Sequence, residues 1–403
     1  MIILNKGVHH KMWKSLEEIP QLIDYPHRVM SVFFVLEWEV KLREGEIRIP
    51  SGCAISGIIN KKCESFSGEN IIKSISVMHD RSNGLGGGFA AYGIYPDYKD
   101  YYAFHIFYDS RSAKRECEEY LEKHFDIINL SKIPTRMIKE ITDAPIIWRY
   151  FVAPHPTRLI DSQLDEREYV ARCSSKINTR IDGAYVFSCG KDMGVFKAVG
   201  FPEDVGRFYK IEEYEGYCFT AHGRYPTNTP GWWGGAHPFA LLDYSVVHNG
   251  EISSYDANRR AIEMYGYKCT LQTDTEVITY MIDYLHRKRG LDFSEIATVV
   301  AAPFWDTIER MPPKKKELHE YFRNVFAAQL ITGPFSILVG FEGGLMALND
   351  RLKLRSMVVG EKNDFVYIAS EESAIRIIEP NLDSVWSPKG GEAVIVRAER
   401  GGE

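Results

Sequence analysis

Apolar and polar positions change rhythm several times along this chain, and the changes mark its elements. Unbroken apolar or β-branched runs such as "CAISGII" from Cys53, "FAAYGIY" from Phe89 and "YYAFHIFY" from Tyr101 predict buried strands. "GENIIKSISVMHD" between the first two has helical spacing, and the bend "SNGLGGG" at 82–88 separates it from the second. "RSAKRECEEYLEKHF" alternates charged and apolar residues at helical period and reads as an exposed amphipathic helix capped by Ser112. Strands follow at "IIWRYFV" and "GAYVFSC", and helices at "DEREYVARCSSKIN" and "EDVGRFY". Beyond residue 216 strands become dense, interrupted by two good helices, "SSYDANRRAIEMYG" and "DTEVITYMIDYLHRKRG". The end of the chain, from "GPFSILVGFEGGLMALND" to "GGEAVIVRAER", is almost all short strands and turns. "MPPKKK" is a helix break followed by a solvated charge run. Strands in runs with helices grouped between them predict an α+β design of stacked antiparallel or mixed sheets flanked by helices.

The first fifty residues differ from the rest of the chain. They are polar and proline-punctuated, with one strand-like alternation, "SVFFVLEWEVKL" at 31–42. The expected division is therefore 1–52, a candidate propeptide or N-terminal extension, and 53–403, the main domain. Residues 111–180 are a possible insert.

Composition narrows the function classes. The formal net charge of −6 over 403 residues offers no electrostatic reason to expect nucleic acid or an anionic membrane surface. No apolar run approaches the ~20 residues of a membrane span, and "MSVFFVLEWEV" is too short and too charged for a signal peptide. Seven scattered cysteines, without a CxxC pair or a Cys/His ligand spacing, argue for a reducing, cytoplasmic setting and against a zinc or iron–sulfur site. "GLGGG" at 84–88 fails the spacing of a dinucleotide fingerprint.

Candidate chemistry gathers in one window. In "AHGRYPTNTPGWWGGAHPF" a strand ending at Arg224 runs into a Gly/Pro/Asn-rich loop that carries Tyr225, Trp232 and Trp233. Two adjacent tryptophans in a loop want burial, which a loop closing over a ligand supplies. "VVHNGEI" ends a β-branched strand at Asn249-Gly250, ordinarily a tight turn. "QTDTEVITYMI" opens a helix at Asp274, ordinarily a simple N-cap. Cys53 at the mouth of an apolar run is ordinarily a small core residue. One reaction uses all four. Acyl transfer from a free amino-acid amide needs a nucleophile, oxyanion donors, a cation for the α-carboxylate and an anion for the α-ammonium. Cys53, Asn249 with the Gly250 amide, Arg224 and Asp274 fill these roles, and an arginine fork matches a carboxylate as a lysine does not. The missing base is supplied if Cys53 becomes residue one, because a free α-amine of pKa ~7.7–8 sits beside the thiol.

These residues carry a resemblance. "HGRYPTNTPGWWGGAHPF" followed by "VVHNGEIS" resembles the glutaminase domain of glutamate synthases, within the class II glutamine amidotransferases, as do the later "GPFSILVGFEGGLMALNDRLKLRSMVVG" and "VYIASEESAI". The likeness runs from about Cys53 to the C-terminus. It implies a four-layer α/β/β/α sandwich of the N-terminal nucleophile hydrolase type, with a propeptide cut off before the cysteine. It implies Cys53 as nucleophile, Asn249 and Gly250 as oxyanion hole, and Arg224, Asp274, Thr227 and His237 as substrate-binding residues. Tyr225, Trp232 and Trp233 would belong to a lid over L-glutamine.

Two departures stand out: Ala54 replaces the usual glycine, and "TDTE" matches the amino-sugar and purine branches better than the glutamate synthase branch. The FMN barrel, iron–sulfur ligands and glycine-rich repeat of larger glutamate synthases have no counterpart in this sequence, so no cofactor is expected in this chain. The expected function is glutamine hydrolysis by an autoprocessed glutaminase subunit. Its ammonia would pass to a separate FMN-bearing subunit of an archaeal-type glutamate synthase, for glutamate biosynthesis. The alternatives are a glutaminase serving another acceptor, or a non-catalytic glutamine-binding regulatory or scaffold subunit.

Overall fold

The computed structural model describes residues 52–225 and 231–399. The strand expected at 31–42 lies outside them. Two antiparallel sheets form the centre. The larger has seven strands in the order β15-β13-β14-β1-β8-β2-β7: Ser384–Trp386, Val358–Lys362, Phe365–Ala369, Ala54–Asn60, Cys218–Gly223, Gly87–Tyr92 and Met193–Ala198. The smaller has five, β9-β10-β11-β12-β16: Phe239–Leu241, Tyr244–Gly250, Phe335–Phe341, Gly344–Asn349 and Val394–Arg397.

The sheets pack face to face, with β1 and β8 against β10 and β11. Helices α1 (Glu69–Ser76), α4 (Pro202–Tyr209) and α8 (Glu372–Arg376) cover the outer face of the larger sheet. On the smaller sheet, α6 (Asp274–Asp283) lies against β9 and β10, backed by α5 (Tyr255–Met264). The result is the expected α/β/β/α order of layers.

Strand β1 shows why its sequence reads as an unbroken apolar run. Ser56 Oγ points outward to Ser74 Oγ on α1 at 2.6 Å, while Gly57 points inward at Leu338 and Leu345 of the second sheet. Both faces are covered, so all seven residues are buried and alternation has no solvent side to mark.

A third sheet of four strands, β4-β5-β3-β6, is built from Phe125–Lys132, Ile146–Pro154, Tyr102–Tyr108 and Ala184–Ser188. Helices α2 (Arg111–His124) and α3 (Glu166–Arg180) pack on it, and β6 adjoins β9. The 111–180 region thus folds together with strands on either side of it: β5 pairs with every residue of β3, from Tyr102 opposite Val152 to Tyr108 opposite Ile146.

Several local expectations are corrected. Ser110, not Ser112, caps α2 and accepts from the Ala113 N–H at 3.1 Å. The cap lies three residues before its donor, where the extended backbone of Ser110 can reach it. At "MPPKKK" the two prolines do more than break a helix. Pro313 is the first residue of α7 (Pro313–Val325), and Lys314 and Lys315 are exposed on its opening turn.

Leu338 is fully buried where the two central sheets meet. Replacing it with alanine should cost ~2–5 kcal/mol by opening a cavity at the sheet interface. The check is a lower urea midpoint with an unchanged slope.

Candidate active site

Cys53 stands immediately ahead of β1. The register of β1 against β8, Ala54 opposite Gly223, carries it to the strand end occupied by Arg224 and Tyr225. There its Sγ accepts from the Tyr225 N–H at 3.3 Å, and its carbonyl accepts from Arg81 Nε at 3.3 Å. Glu371 holds Arg81 in turn, at 2.9 Å. Arg224 is buried, and its backbone is clamped from both sides. Its N–H donates to the Gly86 carbonyl at 2.8 Å, and its carbonyl accepts from Ser82 Oγ at 3.0 Å and the Asn83 N–H at 3.2 Å.

The smaller sheet contributes Asn249 and Gly250. The tight turn usual for Asn-Gly does not form, because pairing with β11 carries the strand through both residues, Asn249 opposite Ser336 and Gly250 opposite Phe335. Asn249 is fully buried, yet neither its Oδ1 nor its Nδ2 has a partner among the described residues. Leaving a buried amide without a partner is costly. Gly250 has φ +152°, and a Cβ there would fall 2.1 Å from the Pro334 carbonyl, so only glycine fits.

Asp274 is the first residue of α6 and not its cap. Thr273 takes that role, accepting from the Thr275 N–H at 3.3 Å. The Asp274 carboxylate is therefore left for other partners. It accepts from the Ile252 N–H at 3.3 Å, with His248 Nδ1 3.4 Å away and Thr275 Oγ1 at 3.2 Å.

Three histidines stitch these pieces together. His222 on β8 is opposite Ile55, and its Nε2 donates across the sheets to the His248 carbonyl at 2.9 Å. His237 stacks on His222 with ring centres 4.1 Å apart, and its Nε2 lies 3.2 Å from Thr275 Oγ1. His248 Nδ1 is 3.3 Å from the same hydroxyl. His237, expected among the substrate-binding residues, is thus packed within this histidine layer. Of the lid residues, Tyr225 touches the thiol through its N–H. Trp233 packs edge-on against Phe107 and Phe208, while Trp232 remains 43% exposed. Thr227 falls in 226–230, outside the described residues.

Comparison with known proteins adds the family. Residues 99–273 match the family described as "Glutamine amidotransferases class-II". An uncharacterized protein of Archaeoglobus fulgidus is 49% identical over 348 residues, 86% of this chain and 92% of that one. An amidophosphoribosyltransferase of Methanocaldococcus jannaschii is 24% identical over 214 residues, so the chain spans only 39% of that enzyme. The B. subtilis glutamine PRPP amidotransferase structure aligns at 13% identity and a TM-score of 0.44, covering 86% of this chain and 47% of that one. The chain thus contains a class II glutamine amidotransferase domain.

Within this family frame the electrostatics of the site follow from its burial. Burial pushes the Cys53 thiol above its ordinary pKa, more than the Tyr225 N–H and the Arg224 and Arg355 charges draw it down. Asp274 adds to the rise, so the thiol keeps its proton until a base takes it. Burial also works against the Asp274 carboxylate, but His248 and the donated hydrogen bonds outweigh it, and Asp274 stays below the usual carboxylate range. Burial drives His222 down to about 3 and His237 well below the usual histidine range. Both are neutral at pH 7 and do not compete with Arg224 for an anion.

Arg81, His222, His248, Lys197 and Glu276 are not singled out by the sequence. His222 and His248 stand in view, two residues before Arg224 and one before Asn249. Arg81 and Lys197 carry no local signal, because their importance arises from contacts with Cys53 and Gly234 far along the chain.

Glu276, nearly fully buried two residues into α6 from Asp274, accepts from the Leu271 and Thr270 N–H groups at 2.9 and 3.1 Å. Burial nevertheless raises its carboxyl to about 7. That is above the ~4.3 of an unfolded glutamic acid, so the folded chain holds the proton more tightly and loses stability as pH rises between the two values. Glu276→Gln removes this dependence. Its stability relative to the parent chain should improve by up to ~3 kcal/mol between pH ~4.5 and ~7.5, measured by urea unfolding at both pH values. A constant difference would show that the carboxyl is not raised.

Proposed function

We propose that this chain is a glutaminase subunit that hydrolyses L-glutamine to glutamate and ammonia through a Cys53 thioester. The observation that carries the reading is electrostatic. The Cys53 thiol lies in the fields of both a buried arginine, Arg224, and a partly buried carboxylate, Asp274. A cation and an anion acting on one nucleophile suit a zwitterionic amino acid, whose α-carboxylate and α-ammonium would neutralise each of them on binding.

Arg224 holds the glutamine carboxylate and Asp274 the ammonium, leaving the side-chain amide at the thiol. Removal of 1–52 frees the Cys53 α-amine, which takes the thiol proton as Sγ attacks the amide carbon. Charge develops on the amide oxygen, where the Asn249 Nδ2 and the Gly250 N–H would donate to it. The amine returns the proton to the departing nitrogen, ammonia leaves, and a water deprotonated by the same amine cleaves the thioester to glutamate. In this reading Thr227 and His237 are further substrate-binding residues, and Tyr225, Trp232 and Trp233 act as a lid that shields the substrate from water. No cofactor enters these steps. In this reading the ammonia acceptor is a separately encoded, FMN-bearing glutamate synthase subunit, supported by the resemblance of the "HGRYPTNTPGWWGGAHPF" and "VVHNGEIS" motifs to that branch.

The decisive test is the intact mass of the purified protein with and without the glutamine analogue 6-diazo-5-oxo-L-norleucine. A chain beginning at Cys53 and carrying one label supports the reading, and a full-length, unlabelled chain overturns it. Arg224→Lys keeps the charge but loses the fork. It should raise KM for glutamine by ~10–100-fold, the worth of ~1.5–3 kcal/mol in a charged hydrogen bond, with kcat little changed. Steady-state glutaminase kinetics check this.

A further inference from the structure

Lys197 is fully buried, an uncommon place for an ammonium group, and no step of the proposed reaction uses it. It stands on β7 opposite Gly88 of β2. Its Nζ donates to the Gly234 carbonyl at 2.8 Å and lies 4.3 Å from the ring centre of Phe239 and 5.2 Å from that of Tyr185. No carboxylate among the described residues comes within ion-pair distance of it. Glu276 contributes an attractive field from farther away, and Arg224 an opposing one. Burial pushes the Lys197 ammonium well below the usual lysine range. Two aromatic faces and one carbonyl thus stand in for a counter-ion.

What Lys197 holds gives it a use. Gly234 belongs to the segment 231–238, which crosses the end of β2 and β7 on its way to β9. The crossing is close: a Cβ on Gly88 would fall 2.3 Å from the His237 carbonyl and 2.8 Å from Lys197 Cβ. Two and three residues past Gly234, the segment reaches the site. Ala236 and the Arg224 side chain crowd the same position, 3.3 and 3.1 Å from where a Cβ of Gly86 would be. His237 stacks on His222 and reaches Thr275, the neighbour of Asp274. The two groups proposed to bind the zwitterion therefore have this segment packed beside them, and Lys197 ties the segment to the sheet.

We propose that Lys197 is a positioning residue for glutamine binding: by pinning the Gly234 carbonyl it holds Ala236 against Arg224 and His237 against Thr275. The proposal rests on the reading of Arg224 and Asp274 as the glutamine-binding pair. A lysine buried only for packing would influence stability and leave substrate affinity alone. A positioning lysine shifts affinity and leaves the nucleophile intact.

Lys197→Met keeps the length of the side chain and removes the donor. In the full chain it should raise KM for glutamine at least ~10-fold, with kcat within ~3-fold. Cys53 should still be labelled stoichiometrically by saturating 6-diazo-5-oxo-L-norleucine. In a Cys53→Ala background, titration calorimetry should show the same weakening of glutamine binding, a readout independent of turnover. An unchanged KM and an unchanged binding constant, with only a lowered melting temperature, would overturn the proposal. If Lys197→Met does not fold, Phe239→Leu removes one aromatic face under the ammonium and should raise KM ~3–5-fold. No change in that variant would overturn the proposal equally. Absence of glutaminase activity in the parent chain itself would instead remove the reading on which the proposal rests.

Discussion

The register between β1 and β8 is the constraint on which the site depends. Ala54 pairs with Gly223 and Ile55 with His222, and this alone brings a cysteine near residue 50 against an arginine beyond residue 220. A slip of one residue would turn every side chain of β1 to its opposite face. Gly57 would then point at α1 and Ser56 at the Leu338–Leu345 interface, exchanging a hydroxyl pair for an unsatisfied polar group between the sheets. The register is thus held by packing along the whole strand, and the thiol inherits its position from it.

The second determinant is the way charge is handled in a dry interior. Arg224, Asp274, Lys197 and Glu276 all sit in or behind the site, and burial works against the charged form of each of them. The fold answers differently in each case. Asp274 is kept ionised by His248 and donated hydrogen bonds, while Glu276 is left with a carboxyl that titrates near neutrality. His222 and His237 are held neutral, which keeps the surroundings of Arg224 and Asp274 from accumulating positive charge. The stacked, neutral rings of His222 and His237 add no cations, and His222 links the two sheets by donating to the His248 carbonyl.

Local sequence rules failed where partners from elsewhere in the chain intervened. Asn249-Gly250 has the chemistry of a hairpin turn, but pairing with β11 keeps both residues in a strand. Asp274 has the chemistry of a helix cap, but Thr273 already supplies one and leaves the carboxylate for Ile252 and His248. Both departures from the ordinary use occur at residues proposed to touch glutamine, where local preference gives way to function. Trp233 was legible as a residue needing burial. That Phe107 and Phe208 would provide it was not, since both stand on elements remote in sequence.

By itself the sequence determined the class of fold and most helices and strands, and it put forward Cys53, Arg224, Asn249, Gly250 and Asp274 as one candidate set. Period and residue type are local properties, and the chemistry of an amide-cleaving site prescribes its residue types. The tertiary structure alone decided the strand order of both sheets and the pairing that joins Cys53 to Tyr225. It also decided the histidine layer and the burial of Lys197 against Gly234. Those features depend on contacts between residues tens to hundreds of positions apart, and on the loss of water around them, neither of which any short stretch of sequence encodes.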